Sequence, residues 1–288
     1  PVYFLAMSSV LNIGLDLAFI LVFRLGVAGA SLATVLSQGV SGLACLVYMV
    51  KKFPILHMSR EERQLDVRSC RALCFMGVPM GLQYSITAIG SIFLQSAVNS
   101  LGSLYVAGVA AGSKLFQLLG CPYDAMGATM ATYCGQNVGA VKLDRLGKGV
   151  RACSLLGLIY ALIAFGGMLL FAPQGAMLFL DTTEPELATL VDLTAQYIRT
   201  LTAFFFPLAL VNIVRFSIQG MGFSGLAILA GVMEMIARTV VGVIFVPMFG
   251  YTAACFASPA ARVCADLFLI PACMGSINRL RKIYEKEP

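Results

Sequence analysis

The chain has 288 residues, of which 59% are hydrophobic and only 12% charged, with a mean hydropathy of +0.87 and a formal net charge of +6. Ordinary soluble domains carry about 25% charged residues, so this composition excludes one and points to an integral membrane protein. A single histidine, His57, and nine cysteines scattered without a CxxC pair argue against histidine-based catalysis, a zinc site and a disulfide framework, and no cofactor is expected.

Apolar runs last twenty residues or more, where a β-barrel would alternate in segments of about 10, so the fold class is an all-α membrane protein. Eight spans are expected near 3–23, 27–50, 72–98, 104–134, 147–173, 193–219, 225–247 and 251–275. An even number places both termini on one side.

The first two spans carry the most unusual polar group. Asn12 and Asp16 lie four residues apart on one face of the first span, and Thr34 follows on the second. An acid near the centre of a span costs about 2.5–3.5 kcal/mol on insertion scales and by default faces a bundle interior or a water-filled path. Asn12, Asp16 and Thr34 are therefore the candidate cation-coupling and transport residues, with the amide able to donate to the carboxylate.

Residues 51–71 form the one long polar linker and divide two spans from six. It holds Lys51, Lys52, Arg60, Arg63, Arg68 and Arg71, and Leu65 and Val67 suggest an amphipathic segment lying on the membrane. The expected organisation is 1–50 as two helices closing a first lobe, 51–71 as the linker, 72–278 as a six-helix lobe and 279–288 as a tail.

Gln83, Gln95 and Asn99 in the third span and Asp124 in the fourth are possible cavity-lining residues, Asp124 following the helix-kinking Pro122. Gly77 with Gly81 and Gly108 with Gly112 fit the small-xxx-small pattern of helix contacts. In the seventh span Glu234 precedes Arg238 by four residues, the favourable order for an ion pair. Arg262 and Asp266 in the last span have the same spacing in reverse. Both pairs are read as structural.

Fourteen of the twenty Lys and Arg fall in the linker, in the loop after the fourth span (Lys142, Arg145, Lys148, Arg151) and in the tail (Arg279, Arg281, Lys282, Lys286). By the positive-inside rule that face, with both termini, is cytoplasmic, and the acidic stretch Asp181-Thr-Thr-Glu184-Pro-Glu186 falls on the other side. The net charge then serves orientation and contact with anionic lipid headgroups; no nucleic-acid partner is needed.

The segment from Leu25 to Thr34 is echoed from Phe249 to Ser258, pairing Gly26 with Gly250, Ala30 with Ala254 and Thr34 with Ser258. The last hairpin reads as a degenerate copy of the first in the same orientation, as in transporters built from parallel repeats. Four helices are then expected to precede residue 1. At the shared offset Val240 falls opposite Asp16, so the acid belongs to the first copy alone.

Cys134-Gly-Gln136-Asn137-Val-Gly139-Ala140 at the end of the fourth span resembles the Gly-Gln-Asn-x-Gly-Ala signature of the multidrug and toxic compound extrusion (MATE) transporters. Gly77-Val-Pro79 opening the third span, Gln219-Gly-Met-Gly222 ending the sixth, and the Asn12, Asp16 and Thr34 set are further matches. The resemblance implies a 6+6 two-lobe architecture of which about eight helices are here, and a secondary antiporter of the plasma membrane. It would export organic cations and drugs in exchange for H⁺ or Na⁺, its partners being amphipathic or cationic small molecules, membrane lipids and the missing N-terminal helices. Members that couple to sodium use second-lobe acids that the third and sixth spans here lack, which favours protons. The alternative within the superfamily is a lipid-linked glycan flippase, which would need free Arg or Lys in its cavity, such as Lys114, Arg199 or Arg215. An intramembrane transferase would need clustered acids or a histidine base, and an enzyme is not expected.

Overall fold

Without water to receive backbone N–H and C=O groups, an apolar chain in lipid satisfies them within helices, and every regular element described is helical. The computed structural model describes residues 2–54, 66–180 and 186–284. His57, Arg60, Arg63 and Leu65 of the linker, Asp181 and Glu184 of the acidic loop, and Lys286 of the tail lie outside the described residues. The chain divides into two compact units, Pro1–Val67 and Arg68–Pro288.

The first unit is a hairpin of α1 (Val2–Leu17), continued by a π-helical turn over Ala18–Val22, and α2 (Gly26–Lys52). The seam of α2 is a stripe of small residues, Gly29, Ala33, Ser37 and Ser41, all buried and one turn apart. A Cβ at Gly29 would lie 3.0 Å from the Cβ atoms of Phe19 and Leu25. Smallness here lets the two backbones approach, and Ser41 Oγ closes the far end by donating to the Phe4 carbonyl at 2.7 Å.

The second unit contains α3 (Val67–Asn99), α4 (Ser103–Gly139), α5 (Asp144–Met177), α6 (Leu187–Ala203), α7 (Phe205–Gly220), α8 (Ser224–Val240) with a π-helical turn over Val241–Phe245, α9 (Val246–Phe249) and α10 (Tyr251–Tyr284). Several helices run past their apolar stretches. At 37 residues α4 is about 55 Å long, against a hydrocarbon core of about 30 Å. Pro79, expected near the start of the third span, lies inside α3, whose first turn is at Val67.

The expected sixth span, 193–219, is not one helix. It begins at Leu187 and breaks at Phe204, where α6 and α7 meet at a bend of 51°. Pro207 is the cause: its ring would clash with the carbonyl four residues back, at Ala203, and it has no N–H to donate there. Ala203 is accordingly the last residue of α6, and Pro207 occupies the first turn of α7, where a missing N–H costs nothing. Among the described residues, seven further helices or helix pairs are long and apolar enough to cross a membrane, up to eight spans with the bent pair.

The core of this unit lies where α4, α5, α7 and α10 meet. Tyr123 on α4 is fully buried, with its ring edge-on to Tyr160 at 5.2 Å and Phe205 at 5.4 Å. Glycines set the closest approaches. A Cβ at Gly220 would stand 2.3 Å from the Ala131 carbonyl oxygen, and one at Gly112 would stand 2.6 Å from the Tyr197 ring. Of the two expected small-xxx-small contacts, Gly108 and Gly112 pack against Leu193 and Tyr197 of α6, whereas Gly77 and Gly81 have nothing within 4 Å. Two of the motif segments that carry the family resemblance, 134–140 and 219–222, come together: the site of a Cβ on Gly135 is 3.5 Å from the Gly220 carbonyl.

The echo between the first and last hairpins extends to the backbone. Gly26 and Gly250 both take positive φ, 55° and 62°, a region open to glycine at no steric cost, and each lies shortly after a π-helical turn and opens a long helix.

Candidate functional site

The polar group of the first unit assembles across its hairpin. Thr34 Oγ1 donates to the Ala30 carbonyl at 3.0 Å, as a hydroxyl in a helix interior does, which leaves its lone pairs to accept from Asn12 Nδ2 at 3.4 Å. Asn12 thus reaches the second helix instead of its own neighbour. Asp16 sits one turn along the same face, half-buried, and its Oδ1 has no hydrogen-bond partner among the described residues. Just beyond it, from Ala18, the helix widens into the π turn, a rare element frequent at functional sites. A buried, unsatisfied carboxylate oxygen is costly.

The second unit holds a larger buried network that only the structure reveals. Glu234 on α8 forms ion pairs with two arginines, Arg215 on α7 and Arg238 one turn on, the latter at 3.4 Å. Arg238 also donates to the Thr87 carbonyl at 3.2 Å and to Ser91 Oγ at 3.4 Å, fastening α8 to α3. Glu234 is 3% exposed and both arginines 8%. The expected i,i+4 pair is present, and the second arginine is the addition; it lies nineteen residues upstream on another helix, where no spacing rule could find it.

The other expected pair does not form. No ion pair joins Arg262 to Asp266; the Arg262 guanidinium stacks 4.7 Å from the centroid of the Phe116 ring on α4, and both Arg262 Nη1 and Asp266 Oδ1 lack partners among the described residues. Side chains on a helix lean toward its N-terminus. A long arginine at the second position of the pair therefore folds back onto its acid, as Arg238 does onto Glu234, whereas one at the first position leans away.

Gln83, expected to line a cavity, is 1% exposed and sealed between helices, its Oε1 accepting from Gln219 Nε2 of α7 at 3.2 Å. Gln95 and Asn99 are exposed and bond to each other, Nε2 to Oδ1 at 2.9 Å. Asp124 is exposed as well and accepts from Asn212 Nδ2 of α7 at 3.2 Å, so it ties α4 to α7 and does not serve the Pro122 backbone. No group of three or more His, Cys, Asp or Glu able to hold a metal occurs among the described residues.

Comparison with known proteins agrees with this architecture. The MatE family profile matches residues 79–248. The chain is 37% identical over 144 residues to the probable multidrug resistance protein YpnP of Bacillus subtilis (strain 168), covering 48% of this chain and 31% of that one. It is 27% identical over 191 residues to the probable multidrug resistance protein YoeA of the same organism, covering 64% and 41%. A crystal structure of MATE in complex with MaL6 superposes with a TM-score of 0.89 at 22% identity over 97% of this chain and 63% of that one. The chain thus spans less than half the length of these curated relatives.

Proposed function

The chain belongs to the MatE family, whose profile covers more than half of it, and on that premise we propose that it works as part of a secondary antiporter exporting organic cations and drugs in exchange for H⁺ or Na⁺. Among its own residues the reading rests on one observation: an acid within the first span, Asp16, with an unsatisfied carboxylate oxygen, beside the Asn12 to Thr34 hydrogen bond that crosses the hairpin. An acid whose protonated and ionised forms favour different conformations lets an ion gradient bias a transport cycle. Protons are the favoured coupling ion, because the third and sixth spans, where some sodium-coupled members place second-lobe acids, carry none here.

The flippase alternative loses two of its three basic groups to bonds already made. Arg215 is neutralised by Glu234, and Arg199 donates to the Met168 and Leu169 carbonyls. In cells stripped of their own exporters, expression should lower the accumulation of a fluorescent organic cation, and collapsing the pH gradient should abolish the difference. Unchanged accumulation under both conditions would reject the reading.

We also assign the 51–71 linker, which holds Arg60, and the loop around Arg145 to the cytoplasmic side of the plasma membrane, from the distribution of Lys and Arg. With the exposed Cys70, Cys74 and Cys121 replaced, a cysteine introduced at 145 should react with a membrane-impermeant maleimide only after the cells are opened. Labelling in intact cells would invert the topology.

A further inference from the structure

Near the C-terminal end of α10, helices α5, α7 and α10 leave a cavity of about 300 Å³. Its walls are apolar, formed by residues such as Val150, Ile270 and Met274, and Arg151, Asn278 and Arg281 also line it. Arg281 Nη2 donates to Asp144 Oδ1 at 3.2 Å, a pair whose two side chains are 45% and 92% exposed. So exposed a pair holds Arg281 weakly, and the remaining N–H groups of its guanidinium stay available. Two arginines against one aspartate leave the cavity with a net charge of +1.

A soluble ligand of this size would meet too few polar groups along the walls. A lipid matches both parts, with its glycerol and first acyl carbons against the aliphatic side chains and its phosphate on the planar guanidinium donors, which bind phosphate in a fork. A zwitterionic headgroup brings its own ammonium and gains nothing from the net positive charge, whereas an anionic one neutralises it. The floor of the cavity includes Gly147, and a Cβ placed there meets nothing within 4 Å. A side chain at 147 would therefore find open space beside the lining.

We propose that this cavity is a binding site for an anionic phospholipid of the phosphatidylglycerol type, seated between α5, α7 and α10 and held by Arg151 and Arg281. The inference rests on reading these helices as membrane spans and is independent of what is transported.

Lipid retention by the detergent-purified protein, measured by native mass spectrometry across a phosphatidylglycerol titration, tests it. Phosphatidylcholine and glycerol 3-phosphate serve as the zwitterionic and chainless arms. Wild-type protein should retain phosphatidylglycerol in preference to both. Replacing Arg151→Gln and Arg281→Gln together should weaken retention about 25-fold, at roughly a factor of five for each basic residue at a lipid surface. Gly147→Leu should abolish it by filling the cavity. Arg279→Gln removes the same charge from the same helix end, but Arg279 is stacked 5.6 Å from the Phe223 ring centroid and is absent from the cavity lining, so this variant should behave as wild type. Equal retention of phosphatidylcholine, equal loss in Arg279→Gln, or undiminished retention in the arginine double variant would each overturn the site. Should Gly147→Leu fail to fold, the comparison of the double variant with Arg279→Gln decides alone.

Discussion

Glu234→Gln is expected to lower the stability of the second unit by about 3–5 kcal/mol, the usual cost of stranding buried charge by removing its partner. The side chain keeps its volume, but Arg215 and Arg238, each 8% exposed, lose the one carboxylate they share. Thermal unfolding in detergent should shift downward by an amount on the order of 10 °C. Arg238→Gln should cost less, because Glu234 stays paired with Arg215. The third member also decides a charge-swap experiment. Were Glu234 and Arg238 an isolated pair, exchanging them would restore stability. With Arg215 present, an arginine at 234 faces another arginine, and Glu234→Arg with Arg238→Glu should remain destabilised. Full rescue by the swap would exclude Arg215 from the network, and an unchanged melting temperature in Glu234→Gln would show that the network does not bear on stability.

Asp16→Asn, made in the protein expressed from its whole reading frame, is expected to fold, reach the membrane and bind substrate as the native protein does. Asparagine is nearly isosteric, and the Asn12 to Thr34 hydrogen bond does not involve Asp16. Efflux driven by a pH gradient should nevertheless fall to the level of cells lacking the protein, since an amide exchanges no proton and a group with one state cannot bias two conformations differently. Thr34→Val should retain the acid and lose only the hydroxyl that accepts from Asn12, giving an intermediate rate. Native efflux in Asp16→Asn at equal expression would assign the carboxylate a structural role and refute the coupling proposal.

Local spacing made part of this legible in the sequence. Runs of apolar residues longer than twenty mark spans because nothing else satisfies their backbone, and Glu234 with Arg238 stands out because four residues on a helix is one turn. Asn12, Asp16 and Thr34 stand out because polar groups are rare among Leu, Ile and Val. What stayed hidden is what one helix does to another. Arg215 reaches Glu234 from a different helix, Arg262 takes the face of Phe116, and Gln83 is sealed by Gln219. The break at Phe204 is a different case: Pro207 was plain to see, but an unbroken apolar run around it reads as one span, and only the position of Ala203 four residues back shows where the helix must stop.

The π turn over Ala18–Val22 follows Asp16 within two residues. Such a turn closes its hydrogen bonds one residue later than an α-helix does, so it absorbs one extra residue and rotates everything downstream by about 100°. Phe23, Arg24 and the left-handed Gly26 are aimed by that rotation. Removing a single residue would return the helix to its regular pitch and turn the α1–α2 corner to a different heading, whereas an apolar exchange leaves the extra residue in place. Natural variants of this hairpin should accordingly differ more in spelling than in length between Ala18 and Val22, with Phe19, which meets the Gly29 seam, the most constrained in spelling.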